Sequence, residues 1–369
     1  MKVLLCGGGT AGHVSPAIAI ADALKKKDSN TEFLFVGREG GEENGATLKN
    51  NYPLKTIRIY GIERKLNIEN LKRVHTAIKS LSVAKRILSE FSPDIVIGTG
   101  GYVCWPIIRT ANRMGIPTLI HESNATAGLV TRLLSKKCDR VLLGFESAKK
   151  DLKRVNNAVV VGNPVREGFY TLDKRRARKK LGISDSSLVI SSFGGSGGSR
   201  ELNRAIISLM KSYSSKEKNV YHIHSCGKKY YADVSNSVPE LVKGRRGCII
   251  KPYIEDMEAV LFASDIVITR CGAITLSELC AVGVTPIMIP SPNVSGNHQY
   301  KNAKQLKNLG IGILIEEKNL SERTLLDAVR FLCENPEKCR KMKEKFKKLH
   351  VADSAERIVS EVYSLVGNK

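Results

Sequence analysis

Patterns for metal and disulfide chemistry are missing from this chain. Its nine cysteines (Cys6, Cys104, Cys138, Cys226, Cys248, Cys271, Cys280, Cys333 and Cys339) are odd in number, scattered and never spaced as CxxC. That excludes a disulfide framework and a structural zinc site, and most of them read as small buried hydrophobes. There is no Asp-x-Asp pair, no clustered set of His, Asp and Glu with metal-ligand spacing, and no GKS or GKT phosphate loop. A tightly bound metal and a P-loop kinase are therefore not expected. Aromatic residues make up only 6% of the chain, and no nucleic-acid module is recognisable, which argues against a nucleic-acid partner. Long apolar runs are lacking too. The uncharged run 95–108 is too short to span a bilayer, and the run 279–297 is interrupted by Pro286, Pro290 and Pro292. The first apolar stretch collapses into Gly7, Gly8 and Gly9 before a secretory segment can form, so the protein is expected to stay inside the cell.

What is present is enough apolar sequence for two cores and a large excess of one charge. The chain has 369 residues, 42% of them hydrophobic, a length comfortable for two domains. Lys and Arg number 59 against 36 Asp and Glu, a formal net charge of +23. A folded surface this basic implies an anionic partner.

Two segments open in the same way. Residues 3–6 read as a strand that runs into Gly7, Gly8 and Gly9 and then a helix with Ile18, Ala21 and Leu24 on one face. Residues 188–193 repeat the pattern, running into a loop from Gly194 to Ser199 and a helix with Leu202, Ala205, Ile206 and Leu209. Each strand, glycine loop and helix unit normally founds its own parallel sheet, so two mononucleotide-type α/β domains are expected. Further buried strands are expected at 32–36, 94–97, 118–121, 140–143, 265–269 and 285–289. The run 159–166 ends in turn formers and suits a domain junction. Residues 321–365 read as helical, with a basic solvated face.

Candidate chemistry falls at the strand ends, where open α/β sheets bind ligands. Gly7, Gly9 and Gly12 fit GxGxxG, but the second strand ends at Arg38 with no acid placed to hold a ribose, so a dinucleotide would have to be the 2′-phosphorylated kind. His13 begins the helix after this loop and could act as a general base near neutral pH or simply cap the helix. A third glycine turn follows Ile97, and His121, Glu122, Ser123 and Asn124 close a further strand. In the second half, the amides of Ile274 and Thr275 at a helix start would point at a phosphate, and Glu278, a turn further in, could accept hydrogen bonds from a ribose diol. His298 and Gln299 stand at a loop-to-helix junction, where they could read sugar hydroxyls or cap the helix.

In order, the motifs GGGTAGH, TGGYV, HESNATAGL, VGNPVR, GGSGGSR, RCGAITLSEL and HQYKNA are similar, over residues 1 to about 305, to those of a bacterial glycosyltransferase family. Its members transfer N-acetylglucosamine from UDP-N-acetylglucosamine to lipid-linked muramyl-pentapeptide. The resemblance implies two Rossmann-like α/β domains facing across a cleft, the GT-B glycosyltransferase fold. It assigns an acceptor- and membrane-associating domain to 1–162, joined by a C-terminal helix at about 342–369, and a UDP-sugar-binding domain to 163–341. It also implies that Thr10, Ala11 and Gly12 lie near the sugar and diphosphate, that Asn124 reaches the donor sugar, and that Arg166 follows the hinge. Ser196 would bond a phosphate, the Ile254 backbone would read uracil, and Ala273, Ile274, Thr275, Leu276 and Ser277 would hold the pyrophosphate. Glu278 would take the ribose, and His298 and Gln299 the N-acetylglucosamine. His13 is the implied base, with Glu122 as competitor or support, and no tightly bound cofactor is implied. The acceptor would be undecaprenyl-pyrophosphoryl-MurNAc-pentapeptide at the cytoplasmic face of the inner membrane. Three residues depart from the family pattern: Ala11 and His298 stand where glycine and glutamine are usual, and Ser123 replaces a glutamine.

Residues 60–88 hold Leu71, Val74, Ile78 and Leu81 at helical spacing, interleaved with Arg64, Lys65, Lys72, Arg73, Lys79, Lys85 and Arg86. This composition suits docking on an anionic membrane surface, or else a core-facing helix with a basic outer face. Two other enzymes stay in view: a related transferase of the same fold acting on another lipid acceptor, and an NADP-dependent oxidoreductase, which would account for the first loop alone.

Overall fold

The computed structural model describes residues 1–9, 11–41, 44–61, 68–217, 219–242 and 247–367. Thr10, Arg64 and Lys65 lie outside the described residues, as do the side chains of Ala11 and Leu71. The chain divides into unit 1, Met1–Val165 with Val351–Lys369, and unit 2, Arg166–His350. The division thus falls at Val165, not 162, and the C-terminal return begins at Val351, not near 342. Residues 342–348 instead complete the helix Pro336–Lys348, whose Phe346 is 1% exposed and whose Phe346 carbonyl accepts from Cys280 Sγ of unit 2.

Unit 1 is built on seven parallel strands: β1 (Lys2–Cys6), β2 (Glu32–Arg38), β3 (Leu54–Ile57), β4 (Ile95–Gly98), β5 (Thr118–Glu122), β6 (Arg140–Leu143) and β7 (Ala158–Val160). Their spatial order is β3-β2-β1-β4-β5-β6-β7. Helices cover both faces, which is why the central strands are apolar without alternation. On one face Leu4, Val96, Ile120 and Val141 pack with Ala84, Ile87 and Leu88 of the helix Ile68–Phe91. On the other, Val3, Leu5, Ile97 and Leu119 meet the helix Ala11–Lys27 and the C-terminal helix Ser354–Val366. The C-terminal helix presents Ile358 and Val362 one turn apart, both fully buried, and Glu361 pairs with Arg140 of β6 at 2.8 Å.

Unit 2 repeats the plan with six parallel strands: β8 (Leu188–Phe193), β9 (Val220–Ser225), β10 (Cys248–Lys251), β11 (Ile266–Thr269), β12 (Thr285–Met288) and β13 (Ile313–Leu314). Their order is β10-β9-β8-β11-β12-β13. Ile190, Ile268 and Ile287 face Leu202, Ile206 and Leu209 of the helix Arg200–Leu209 in its core. The six strands expected at 32–36 through 285–289 all form, each within two residues of the expected ends, whereas only Ala158–Val160 of the run 159–166 and its flank is strand. All nine cysteines are free, and seven are buried.

In both sheets the strand order reverses beside the first strand, between β1 and β4 and between β8 and β11. Loops leaving these neighbouring strands diverge to opposite faces and open a crevice at the carboxyl edge. The glycine turns of both units sit there.

Candidate active site

At the β1/β4 switch point, three segments fix one imidazole. His13 is the third residue of its helix and is half-buried. Its Nδ1 lies 3.0 Å from the Gly8 carbonyl oxygen. A carbonyl can only accept, so in the neutral ring Nδ1 carries the proton and Nε2 is the basic nitrogen. Gly100 backs the ring: a Cβ there would come within 2.6 Å of His13 Cδ2, and its φ of +113° already favours glycine. Thr99 Oγ1 donates to the His13 carbonyl at 2.6 Å and ties the helix start to the end of β4. Gly12 is exposed beside it.

Glu122 at the end of β5 is committed to its own loop. One carboxylate oxygen accepts from the backbone N and the Nδ2 of Asn124, both at 3.0 Å; the other accepts from Gly128 N at 2.8 Å and Thr131 Oγ1 at 2.7 Å. Four donors fill the four lone-pair positions of a carboxylate. The arrangement therefore orients Asn124 and shapes the turn. Next to it, His121 is buried with Nε2 3.0 Å from the Gly162 carbonyl, and burial lowers its pKa. Ser123, the departure from the usual glutamine, accepts through its carbonyl from Asn163 Nδ2 at 3.0 Å and places its hydroxyl 3.3 Å from His121 Nδ1.

Unit 2 carries the second opening. The helix Ala273–Val282 follows β11 through Arg270, Cys271 and Gly272, and Gly272 caps it in an extended conformation (φ −63°, ψ 139°) with no side-chain cap. The amides of Ala273, Ile274 and Thr275 thus form an uncapped, positive helix end suited to an anion. Leu276 adds only a core side chain, because its amide donates to the Gly272 carbonyl at 3.0 Å. The Ser277 hydroxyl donates to the Ala273 carbonyl at 3.0 Å.

Glu278 follows one turn in, with its side chain 15% exposed and Arg166 3.6 Å away. Burial raises its pKa to about 7, an effect that Arg166 opposes and Glu258 reinforces. Ser196 is exposed in the loop after β8, and Ser199 caps the next helix.

Sequence reasoning missed the residue that joins these loops. Arg270 is 8% exposed and donates to Ser199 Oγ and, at 3.2 Å, to the Ile289 carbonyl, while pairing with Glu317. Its position between strand and glycine turn was the available signal. Gln299 Oε1 accepts from Cys271 N at 3.2 Å and Ser291 N at 2.9 Å, so the amide nitrogen is the group it can offer a ligand. His298 is half-buried at the first position of the helix His298–Asn308. Ile254 is 3% exposed and packs against Ala177, Ile183 and Val189.

Two parallel-sheet α/β units with glycine turns at both switch points define the GT-B fold. Residues 3–143 match the glycosyltransferase family 28 N-terminal domain and residues 189–358 the family's C-terminal domain. The chain is 39% identical over 369 residues, 100% of this chain and 99% of the other, to the UDP-N-acetylglucosamine--N-acetylmuramyl-(pentapeptide) pyrophosphoryl-undecaprenol N-acetylglucosamine transferase of Acetivibrio thermocellus. To the protein of the same name from Bacillus subtilis it is 36% identical, with 99% of each chain covered. The crystal structure of Acinetobacter baumannii MurG superposes with a TM-score of 0.74 at 26% identity, covering 98% of this chain and 99% of that one. The chain belongs to the MurG family of N-acetylglucosaminyltransferases within glycosyltransferase family 28.

Proposed function

We propose that unit 2 holds UDP-N-acetylglucosamine and unit 1 takes undecaprenyl-pyrophosphoryl-MurNAc-pentapeptide, with the sugar passing to the muramyl 4-hydroxyl in peptidoglycan synthesis. The observation that carries this reading is the difference between the two openings. Unit 2 combines an uncapped helix end with Glu278, which suits a nucleoside diphosphate; unit 1 presents an imidazole with a fixed basic nitrogen.

In the reaction, the acceptor oxygen bonds to the anomeric carbon as the bond from that carbon to the UDP oxygen breaks, inverting the centre. The hydroxyl proton passes to His13 Nε2, and UDP departs with the bonding electrons. Charge growing on UDP is met by the Ile274 and Thr275 amides, Ser196 and Arg166, so the chemistry asks for no tightly bound cofactor. Glu278 accepts from the ribose hydroxyls and the Ile254 main chain reads the base. Thr10, Ala11, Gly12, Asn124, His298 and Gln299 address the sugar and diphosphate. Glu122 supports Asn124 and is not the base.

A peripheral site at the cytoplasmic membrane face belongs to the same reading. Among the described residues no helix is long and apolar enough to cross a membrane. On the helix Ile68–Phe91, Val74 and Ile78 are 41% and 58% exposed, while Ala84, Ile87 and Leu88 supply the core contacts. The same helix contributes Lys72, Arg73 and Lys79 to a groove of about 880 Å³ that Arg58 and Tyr60 also line. A helix that carries both exposed apolar side chains and basic residues suits an anionic lipid surface.

Purified protein incubated with radiolabelled UDP-N-acetylglucosamine and a short-chain lipid-linked muramyl pentapeptide tests the proposal. A product heavier by one N-acetylglucosamine supports it, and its absence with both substrates present refutes it.

A further inference from the structure

We propose that Glu258 is a positioning residue for donor recognition: it draws the Arg166 guanidinium to itself and so keeps the Glu278 carboxylate open to the ribose hydroxyls. The inference rests on the reading of Glu278 as the ribose acceptor.

The geometry is a single guanidinium shared by two carboxylates from different helices. Arg166 Nη1 lies 3.1 Å from Oε1 of Glu258, on the helix Met257–Ala263, and Nη2 lies 3.6 Å from Oε1 of Glu278. Both contacts are ion pairs, and the one to Glu258 is the shorter. Both carboxylate side chains are largely buried, 18% and 15% exposed, whereas Arg166 is 47% exposed and free to redistribute between them. The Phe169 ring lies 5.6 Å from the guanidinium carbon and adds a cation–π contact. Gly168 makes room for the arrangement, since a Cβ there would come within 3.0 Å of Glu258 Cγ.

The consequence follows from counting acceptors. Arg166 steadies Glu278 through the longer of its two ion pairs, which leaves the carboxylate more open to a diol than a bidentate contact would. Removing the Glu258 charge leaves Glu278 as the nearest anion, and a guanidinium closes on a lone carboxylate in bidentate fashion. Ribose hydroxyls would then compete with a cation already seated. Arg166 and Glu258 are the charged groups facing Glu278 from the chain before Phe169 and from the helix Met257–Ala263. From the helix Pro336–Lys348, Lys347 approaches the far end at Gly283.

Isothermal titration of the full chain with UDP and with 2′-deoxy-UDP decides the matter. At pH 8.5, above the value of about 7 for Glu278, the carboxylate is ionised with or without Glu258, so only the position of Arg166 changes. The wild type is expected to prefer UDP about tenfold or more, the scale of a hydrogen bond to a charged group. Glu258→Gln should bring the preference to within about threefold, with UDP losing more affinity than 2′-deoxy-UDP. Glu258→Asp, which keeps the charge at shorter reach, should fall between. An unchanged preference in Glu258→Gln, or an equal loss for both ligands, overturns the role of Glu258. A wild type that does not distinguish the two ligands overturns the ribose reading of Glu278 itself, and the inference falls with it.

Discussion

His13 Nδ1 and the Gly8 carbonyl oxygen, 3.0 Å apart, select the tautomer of the imidazole before any substrate arrives. A ring free to flip would present the wrong nitrogen part of the time; this one is held by the same glycine turn that opens the crevice. His13→Ala is therefore expected to lower kcat about 10²- to 10⁴-fold, the range of a lost general base, with little change in donor KM. Steady-state transfer of radiolabelled sugar measures it, and undiminished turnover would remove His13 from the mechanism.

Glu122 should behave as a structural anion. Glu122→Ala strands the buried Thr131 hydroxyl and loosens the amides of Asn124 and Gly128, at about 1–3 kcal/mol for the donor left buried without a partner. A lower melting temperature, with activity lost in proportion to the unfolded or loosened fraction, is the expected pattern. A variant that melts like the wild type yet is inactive would return Glu122 to the list of candidate bases.

Donor binding should follow the ionisation of Glu278. Its folded pKa of about 7 lies above the ordinary carboxylate value because burial disfavours the charge. The ribose hydroxyls bond better to the ionised form, so UDP affinity should rise as pH increases through about 7, beyond any trend shared with Glu278→Gln. Stability moves the opposite way. A carboxylate whose folded pKa is raised loses stability contribution as pH climbs from its unfolded value toward 7, so Glu278→Gln should gain most, relative to wild type, at pH 8. Calorimetric titration and thermal melts across pH 5–8.5 read the two effects.

His222 and His224 predict the acid limb of stability. Both are fully buried on β9 and share the Ser192 hydroxyl at 2.9 Å each, and burial lowers their pKa values to about 3 and about 4. The unfolded chain takes up these protons near pH 6.5, so their contribution to stability is complete above that value and is lost as pH falls toward 4. Denaturant melts of the double variant His222→Gln/His224→Gln should show a shallower decline between pH 6.5 and 4. A decline as steep as that of the wild type would place the acid sensitivity elsewhere.

Membrane docking is separable from catalysis. Val74→Ser/Ile78→Ser should cut co-sedimentation with vesicles containing anionic lipid while sparing transfer to a water-soluble acceptor analogue. Binding of the parent chain should weaken with salt, and salt-insensitive binding or none would oppose the reading.

Much of the fold was legible because strand ends and glycine turns are local signals. The runs at 3–6 and 188–193 became β1 and β8, and the glycine motifs fell on the switch points. β3 and β9 were harder. β9 carries His222 and His224, polar residues that its alternation would send to solvent, and partners from Ser192, Ser214 and Asn203 let them be buried. β3 is an edge strand of four residues with only Ile57 buried, too short to stand out. Within the site, the sequence named Glu278 and His13 but not Glu258 or Arg270, whose partners lie far away along the chain. Whether Glu122 is a base or a brace depends on four donors whose convergence no spacing reveals.

The C-terminal helix Ser354–Val366 completes a core whose first strand is synthesised more than three hundred residues earlier, since Ile358 and Val362 pack with Val3 and Leu5. On the ribosome, that face of the leading half must wait uncovered while the whole trailing half emerges. A chain that terminates before Ser354 would carry an open apolar groove along β1, a natural binding platform for chaperones and a trigger for quality-control proteolysis. Translation to the last helix is thus a checkpoint for folding of the first strand.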